Sequence, residues 1–255
     1  MVLAVNIGNS TITMGGFDHD RIYFTASIET RKHATWIDHV IAFRQILSLY
    51  QVSQSDISGA AISSVVPAVT DGVKKALEHL KIQNILTVSS GTKTGLKIKK
   101  QNSNLGTDFV CMAVEVMHSY PLPCVLVSLG TATTFCAVDA EGCFLGTSIA
   151  PGIELSLQAL KSYTSRLPET ELEAPKKLLG GNTADSIKSG LIYGTASMVD
   201  GMCQRYQDEW DTPAACVVTG RYAPVILPYC QKEYQYDETL LLKGLYRIYC
   251  RNSIH

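Results

Sequence analysis

Two stretches of the chain share one pattern, and this pattern constrains the fold more than any other feature. "VLAVNIGNSTITMGGF" and "CVLVSLGTATTFCAV" each run from an apolar strand through a small polar residue, an apolar residue and a glycine into a cluster of hydroxyl or amide side chains. Aligning Gly8 with Gly130 pairs Asn6 with Ser128, about half the chain length away. The repetition predicts a duplicated α/β domain with a cleft between the two copies.

Each of these glycine turns is a candidate phosphate site. A turn of this kind presents backbone N–H groups and hydroxyls that can cradle a polyphosphate. For either turn alone, a tight hairpin that needs glycine for backbone reasons is an alternative, but the matched pair favours phosphate binding. The GxxxxGK[ST] pattern and a GxGxxG turn after a strand are both absent from the sequence, which excludes P-loop and Rossmann nucleotide sites.

Helical periodicity between the strand-like runs supports the same α/β class. Apolar residues recur on one face between Val69 and Leu80, which predicts an amphipathic helix. A longer apolar stripe follows Asn182, a candidate N-cap with Asp185 at the capping-box position. The sequence therefore predicts a long helix that begins near Thr183.

Composition narrows the class of protein further. With 255 residues, of which 46% are hydrophobic and 18% charged, the chain can bury a sizeable core as one large or two small domains. A net charge of -1 and no cluster of lysine and arginine argue against a nucleic-acid partner. The apolar run at the N-terminus is too short for a signal or a membrane span, so we expect a cytoplasmic protein with no membrane partner.

The cysteines and histidines give no sign of a disulfide framework or a metal site. Eight cysteines lie scattered through apolar segments without a CxxC pair, which predicts reduced core thiols. The six histidines show no ligand spacing, so the sequence predicts no transition-metal site.

Further short motifs extend over the whole chain in a fixed order. They are Ile7-Gly8-Asn9-Ser10, Ser63-Ser64-Val65-Val66-Pro67, Gly106-Thr107-Asp108, Leu129-Gly130-Thr131-Ala132-Thr133-Thr134, Pro151-Gly152-Ile153, Gly181-Asn182-Thr183 and Leu242-Lys243-Gly244-Leu245. Together, and in this order, they resemble the type III pantothenate kinases. The resemblance implies two ribonuclease H-like domains of the acetate and sugar kinase, Hsp70 and actin superfamily, residues 1–118 and 119–255, assembled as a homodimer.

The resemblance also implies a reaction and its cofactors. The reaction is transfer of the γ-phosphoryl group of ATP to pantothenate, the first step of coenzyme A synthesis. ATP, Mg²⁺ and an activating monovalent cation, K⁺ or NH₄⁺, are the cofactors that it implies. Phosphoryl transfer needs positioning, charge neutralisation and a carboxylate near the attacking hydroxyl, and the residues carried over supply groups of these types.

Site residues follow from the resemblance position by position. It implies that the ATP phosphates are held by Asn6, Ile7, Gly8, Asn9, Ser10, Thr11, Ile12 and Thr13 and by Gly130 and Thr131. The substrate would contact Gly106, Thr107, Asp108, Phe109, Lys100 and, across the dimer interface, Thr183. Asp108 would be the base that takes the proton from the pantothenate hydroxyl. For Asp108 taken alone, an ordinary helix N-cap is the alternative.

This chain departs from the family pattern at three charged positions. Asn6 and Ser128 stand where the family has aspartates, and Phe109 stands where the GADR motif has arginine. In the family the first aspartate organises hydrated Mg²⁺, the second helps to bind the monovalent cation, and the arginine holds the pantothenate carboxylate. Asn6 keeps an acceptor oxygen for a metal-bound water. Lys100 could replace part of the lost positive charge, or be a solvated lysine at a strand end.

The departures leave three hypotheses open. The first is a type III pantothenate kinase with weak turnover. The second is a binding or regulatory protein that keeps the fold and the dimer without catalysis. The third is a kinase of the same fold that acts on a different hydroxyl compound, because loss of the arginine suits a substrate without a carboxylate.

Overall fold

The computed structural model describes residues 1–19, 21–98, 105–163, 171–210 and 212–253. Contacts divide the chain into two compact units. The first unit contains the described residues from Met1 to Leu96, those from Leu105 to His118, and those from Thr239 onwards. The second contains Lys97 and Ile98 and the described residues between Ser119 and Glu238. Each unit is built on its own mixed β-sheet.

The first unit has a five-stranded sheet in the order β3-β2-β1-β4-β5. Its strands are β1 (Val2–Ile7), β2 (Thr11–Asp18), β3 (Arg21–Glu29), β4 (Gly59–Ser64) and β5 (Ile85–Thr87). The first three strands are antiparallel neighbours, whereas β4 runs parallel to β1 and β5 parallel to β4. Short turns join the antiparallel strands as hairpins, whereas the parallel strands need longer connections that contain helices. This order agrees with strand-like runs in the sequence that are followed by segments of helical periodicity.

Helices cover both faces of this sheet. On one face, α1 (Trp36–Leu49) and α2 (Pro67–His79) pack against alternate residues of β1 such as Leu3 and Val5. On the other face, α3 (Thr107–Ser119) and α7 (Leu240–Ser253) pack against the intervening residues of the same strands. The helix predicted between Val69 and Leu80 is α2.

The second unit repeats this topology. Its strands are β6 (Lys97–Ile98), β7 (Cys124–Leu129), β8 (Ala132–Val138), β9 (Cys143–Pro151), β10 (Ala215–Thr219) and β11 (Gln235–Tyr236). The order β9-β8-β7-β10-β11 matches that of the first sheet, with the same strand directions. This match confirms the predicted duplicated ribonuclease H-like fold. A short strand that the sequence did not reveal, β6, pairs in parallel with the outer edge of β9.

The described residues of the second unit form the α-helices α4 (Ile153–Tyr163), α5 (Thr183–Gln207) and α6 (Ala223–Ile226). The helix α5 packs its apolar stripe on the face of β7 and β10. Asn182 is the N-cap of α5, and its side-chain oxygen accepts the backbone N–H of Asp185 at 2.9 Å. The predicted long helix with its cap is therefore confirmed.

The last helix corrects the predicted domain boundaries. Residues 119–255 were expected to form the C-terminal domain, but α7 belongs to the first unit. Leu242, Leu245 and Ile248 are buried against the first sheet, and Gly244 lies directly on the carbonyl of Cys111. The physical reason is that α3 alone leaves part of that sheet face open, and the apolar stripe of α7 covers it. Within the described ranges, no helix is long and apolar enough to cross a membrane.

Candidate functional site

A row of polar side chains crosses the first sheet near the end of β1. The register places Asn6 opposite Thr13 on β2 and opposite Ser63 on β4. Thr13 in turn shares a 3.0 Å hydrogen bond with Ser27 on β3. Cross-strand partners lie on the same face of a sheet, so these side chains share the face that α3 and α7 cover. Polar residues on an otherwise apolar face point to a role outside packing.

Asn6 carries an unsatisfied buried acceptor. Its Oδ1 atom is buried, and no donor among the described residues reaches it. Leaving such a group without a partner costs about 1–3 kcal/mol. The cost is offset if a bound ligand or its water supplies the donor, so Asn6 is suited to a ligand site.

The turn after β1 is held by the end of β3. The Gly8 N–H donates to the carbonyl of Thr11 at 2.9 Å, which closes the turn. The Thr30 hydroxyl donates to the Gly8 carbonyl at 2.7 Å, and the Thr30 N–H donates to the Ser10 carbonyl at 2.9 Å. Asn9, at the tip, is exposed. The backbone of this turn is thus fixed while its tip faces solvent.

The turn after β7 is the structural counterpart. The Gly130 N–H donates to the carbonyl of Ala132 at 3.1 Å, two residues on, whereas the Gly8 N–H donates to Thr11, three residues on, because the second turn is one residue shorter. Ser128 lies opposite Thr134 and Thr219, as Asn6 lies opposite Thr13 and Ser63. The predicted pairing of Asn6 with Ser128 therefore holds at the level of sheet register.

Two other glycines pack against this second turn. A Cβ atom on Gly152 would collide with the carbonyl oxygens of Gly130 and Thr131. Gly220 has a φ of +99°, and a Cβ there would lie 2.5 Å from the carbonyl oxygen of Leu129. Side chains at Gly152 and Gly220 are excluded by close approach of the backbone, so both glycines are needed to build the turn.

Gly130, unlike Gly152 and Gly220, has room for a side chain. It does not have a positive φ, and a Cβ atom on Gly130 would have as its nearest neighbour the Ala132 carbonyl oxygen, at 3.8 Å. The fold would therefore accept a side chain at Gly130. The tight-hairpin alternative does not explain the glycine, whereas close approach of a ligand to the turn does.

Asp108 is positioned by its neighbour Thr107. The Thr107 hydroxyl donates to the Ser64 carbonyl at 3.0 Å, accepts the Ser64 N–H at 3.1 Å, and shares a 3.0 Å hydrogen bond with the Ser63 hydroxyl. These bonds fix the first residue of α3 to the end of β4. Because Ser63 is the register partner of Asn6, they bring Asp108 into the same part of the first unit as the polar row.

The Asp108 carboxyl is half-buried in the first turn of α3. Its Oδ1 atom accepts the Phe109 N–H at 2.9 Å, a contact that also stabilises the start of the helix. Burial raises the pKa of this carboxyl and outweighs the effect of the backbone hydrogen bonds. A raised pKa brings a carboxylate closer to the range in which it acts as a general base.

Of the other predicted substrate residues, Gly106 and Phe109 lie beside Asp108, whereas Thr183 lies in the second unit. A Cβ on Gly106 would meet the Asp108 carboxylate, so glycine leaves room for that side chain. Phe109 is half-buried beside Asp108, and Thr183 is exposed as the first residue of α5 in the second unit. Lys100 lies outside the described residues.

The predicted metal positions, Asn6 and Ser128, offer only neutral oxygens to an ion. In the described part of the chain, no group of three or more His, Cys, Asp or Glu side chains is placed to hold an ion. Asn6 and Ser128 are neutral, and a neutral oxygen offsets the dehydration of Mg²⁺ poorly. The unpaired Oδ1 of Asn6 fits a water of a hydrated Mg²⁺ that arrives on polyphosphate, and it does not suit direct coordination.

Sequence reasoning missed a charged cluster beside the second turn. The Arg221 guanidinium pairs with the Glu154 carboxylate and lies 4.7 Å from the centre of the Tyr222 ring. The Tyr222 hydroxyl donates to Glu154 at 2.5 Å, and its N–H donates to the Leu129 carbonyl at 3.1 Å. Burial and the Glu154 hydrogen bond raise the pKa of Tyr222 to about 12. An arginine directly after Gly220 was the available signal.

Two sheets of the same order, each with a glycine turn between its first two strands, place the chain in the class of proteins with a duplicated ribonuclease H-like fold. A structure described as a conserved putative Baf family transcriptional activator from Campylobacter jejuni aligns with a TM-score of 0.59 and 18% identity, covering 98% of each chain. A putative N-acetylglucosamine kinase from Porphyromonas gingivalis aligns with a TM-score of 0.52 and 12% identity, covering 100% of each chain. These likenesses show the fold alone.

Within this class, the chain belongs to the type III pantothenate kinase family. The family model of that name matches residues 2–205. A protein named type III pantothenate kinase from Dictyoglomus turgidum is 36% identical over 255 residues, covering 99% of this chain and 100% of the relative. One of the same name from Myxococcus xanthus is 34% identical over 253 residues, covering 99% of each.

Proposed function

We propose that this protein transfers the γ-phosphoryl group of ATP to pantothenate, which gives 4′-phosphopantothenate in the first step of coenzyme A synthesis. The observation that carries the proposal is the half-buried Asp108, fixed through Thr107 and Ser63 close to the polar row that contains Asn6. Membership of the type III pantothenate kinase family supports the choice of phosphate donor and acceptor.

Asp108 is the general base of the proposed reaction. Its carboxylate accepts the proton of the pantothenate hydroxyl as that oxygen attacks the γ-phosphorus and the bond to the β-phosphate oxygen breaks. The turns at Gly8–Ser10 and Gly130–Thr131 orient the phosphates, and the side chain of Thr13 completes the first phosphate site. Asn6 would hold, through a water, the Mg²⁺ carried by ATP, which would supply positive charge to the phosphates.

The neutral residues at the phosphate sites predict weak turnover. An asparagine in place of an aspartate near Mg²⁺ removes an attraction through water of roughly 2–4 kcal/mol, from Coulomb's law with an effective dielectric constant near 20. A loss of that size slows the chemical step by about one to three powers of ten. Binding of nucleotide is less affected, because the backbone of both turns is fixed by the fold.

Further residues are assigned to cation binding, substrate binding and dimer assembly. We infer that a monovalent cation, K⁺ or NH₄⁺, binds weakly at Ser128, and that Lys100 and Phe109 face the pantothenate. We also infer a homodimer in the cytoplasm, in which Thr183 reaches the substrate of its partner. The exposed position of Thr183 at the helix N-terminus supports this role.

Release of ADP that depends on pantothenate, measured in a coupled assay with and without K⁺, tests the proposed function. Weak release that disappears in an Asp108→Asn variant supports it, and no release under any cation condition contradicts it. Calorimetric binding of ATP without turnover would favour a binding or regulatory protein. Phe109, in place of a carboxylate-binding arginine, favours a third outcome, in which a neutral hydroxyl compound is phosphorylated faster than pantothenate.

A further inference from the structure

Two cysteines of the second unit face each other between α5 and β10. Cys203 lies in the second-last turn of α5, and Cys216 is the second residue of β10. The register pairs Cys216 with Val125, whose side chain belongs to the cluster under α5. Cys203 is buried in the same cluster and Cys216 packs against it, and Gln207, one helical turn beyond Cys203, contacts the Cys216 sulfur. The fold therefore juxtaposes two sulfur atoms from distant parts of the sequence.

The surroundings of Cys216 favour a thiolate. The Gln207 side-chain amide donates to the Cys216 sulfur at 3.5 Å, and the Lys232 ammonium lies near enough to act on its charge. The hydrogen bond from Cys203, followed by the charge of Lys232, lowers the pKa of Cys216. Cys216 is half-buried, so a small solute can reach it.

Cys203 has the properties of a resolving thiol. It is fully buried, and its hydrogen bond to Cys216 and its burial raise its pKa. Asp200, which accepts the Tyr234 hydroxyl at 2.8 Å, opposes a negative charge on Cys203 as well. Of the two thiols, Cys216 has the lowered pKa and Cys203 the raised one.

Other cysteines lack this environment. Burial raises the pKa of the Cys111 and Cys124 thiols to about 12, and that of Cys230 to the same value. Nucleophilic reactivity requires the thiolate and access to solvent. Cys216 therefore stands apart from these three.

We propose that Cys216 and Cys203 form a peroxide-sensitive thiol pair, a modification site separate from the kinase chemistry. In the first step the Cys216 thiolate attacks one oxygen of hydrogen peroxide, the O–O bond breaks, and the hydroxide that leaves takes up a proton as water. In the second step the Cys203 sulfur loses its proton and attacks the Cys216 sulfur, and the sulfenic oxygen leaves as a second water. The two sulfurs together lose two electrons, which reduce one peroxide.

The product is an intramolecular disulfide between α5 and β10. Both elements pack with β7, the strand that leads into the Gly130 turn. The bond would tie α5 to an inner strand of the sheet on which it packs, so the oxidised protein should be more resistant to thermal unfolding than the reduced one. This expectation does not depend on which substrate the protein phosphorylates.

Peptide mapping of the full chain after brief treatment with hydrogen peroxide tests the pair. Mass spectrometry is expected to show a peptide that links Cys203 to Cys216 and is lost on reduction. In a Cys203→Ser variant, the sulfenic acid on Cys216 should persist and react with dimedone. A Cys143→Ser variant, which removes another half-buried thiol, is the matched control and should keep the cross-link.

A rate comparison completes the test. At neutral pH, Cys216 should be alkylated by iodoacetamide at least about tenfold faster than Cys230, a half-buried thiol whose pKa burial raises to about 12, since only a thiolate reacts. Absence of the linked peptide from the oxidised protein would overturn the proposal, as would dimedone labelling of Cys143 equal to that of Cys216. If Cys203→Ser does not fold, Cys203→Ala serves for the trapping step, and the mapping needs no variant.

Discussion

The Thr107 hydroxyl lies 3.0 Å from the Ser63 hydroxyl and also bonds both backbone groups of Ser64. One side chain therefore joins the start of α3 to the end of β4 and fixes the residue that precedes Asp108. A mobile α3 terminus would place the Asp108 carboxylate in several positions, only some of which suit proton transfer.

Replacement of Thr107 by valine should reduce both stability and activity. The change removes the hydroxyl but keeps the shape, and the Ser64 groups lose a partner, which costs about 1–3 kcal/mol. Thr107→Ser keeps the hydroxyl and is the matched control. Thermal unfolding and ADP release should fall together in the valine variant and stay near wild type in the serine variant. Equal activity in both variants would remove the positioning role from Thr107.

Asp108→Asn should lose activity and gain stability. The raised pKa means that the folded state holds the Asp108 proton more tightly than the unfolded state. The stabilisation is therefore present below the unfolded pKa and is lost as pH rises through the folded pKa. At neutral pH the buried charge is unfavourable, and asparagine removes it. We expect ADP release to fall by about 10²–10⁴-fold.

The sign of the stability change is checked by its pH dependence. Asp108→Asn should unfold at a higher temperature than wild type at pH 7, and the difference should shrink as pH falls towards 4. A variant that is less stable than wild type at pH 7 would show that hydrogen bonding to the ionised carboxylate outweighs its burial.

Gly130→Ala should separate binding from stability. A methyl group at Gly130 has no close contact in the fold, so the free energy of unfolding should change by less than about 0.5 kcal/mol. Calorimetry should nonetheless show ATP binding weakened by about tenfold, which corresponds to ~1.4 kcal/mol. Gly152→Ala is the contrasting variant, because its methyl group collides with the turn, and it should destabilise the fold by about 1–3 kcal/mol. Unchanged ATP affinity in Gly130→Ala would place the phosphates elsewhere.

His39 should make the fold sensitive to mild acid. This residue of α1 is buried, its Nε2 atom has no partner among the described residues, and burial lowers its pKa despite the nearby Asp38. The unfolded state then binds the proton more readily, so stability falls as pH drops below about 6.5, the ordinary histidine value. His39→Leu should flatten this pH dependence in thermal unfolding, and an unchanged pH dependence in that variant would show that His39 is not its source.

The duplicated topology was readable from the sequence because its signal is local. Each glycine turn sits between two strands that pair with each other, so one short segment reveals a complete hairpin. The N-cap at Asn182 was likewise visible, since its partner Asp185 is three residues away. Register then placed Ser128 as the counterpart of Asn6.

Contacts between segments far apart in the chain could not be predicted from local sequence patterns. The amphipathic stripe of α7 predicts burial of one helix face, but it does not say which sheet receives that face. The link between Ser63 and Thr107 also spans a long stretch of chain, and nothing in either local pattern indicates the other. The pair of Cys203 and Cys216 was hidden for the same reason, since scattered cysteines reveal neither their neighbours nor their exposure.

The proposed loss of charge at Asn6, Ser128 and Phe109 is tested by restoring the three charged side chains. Pantothenate-dependent ADP release should be measured for wild type and for a variant that combines Asn6→Asp, Ser128→Asp and Phe109→Arg, with each single change as a control. We expect weak wild-type release and a gain in the triple variant larger than any single change gives, because the three groups act on one transition state and need not contribute additively. Wild-type turnover equal to that of a family member with both aspartates would contradict it.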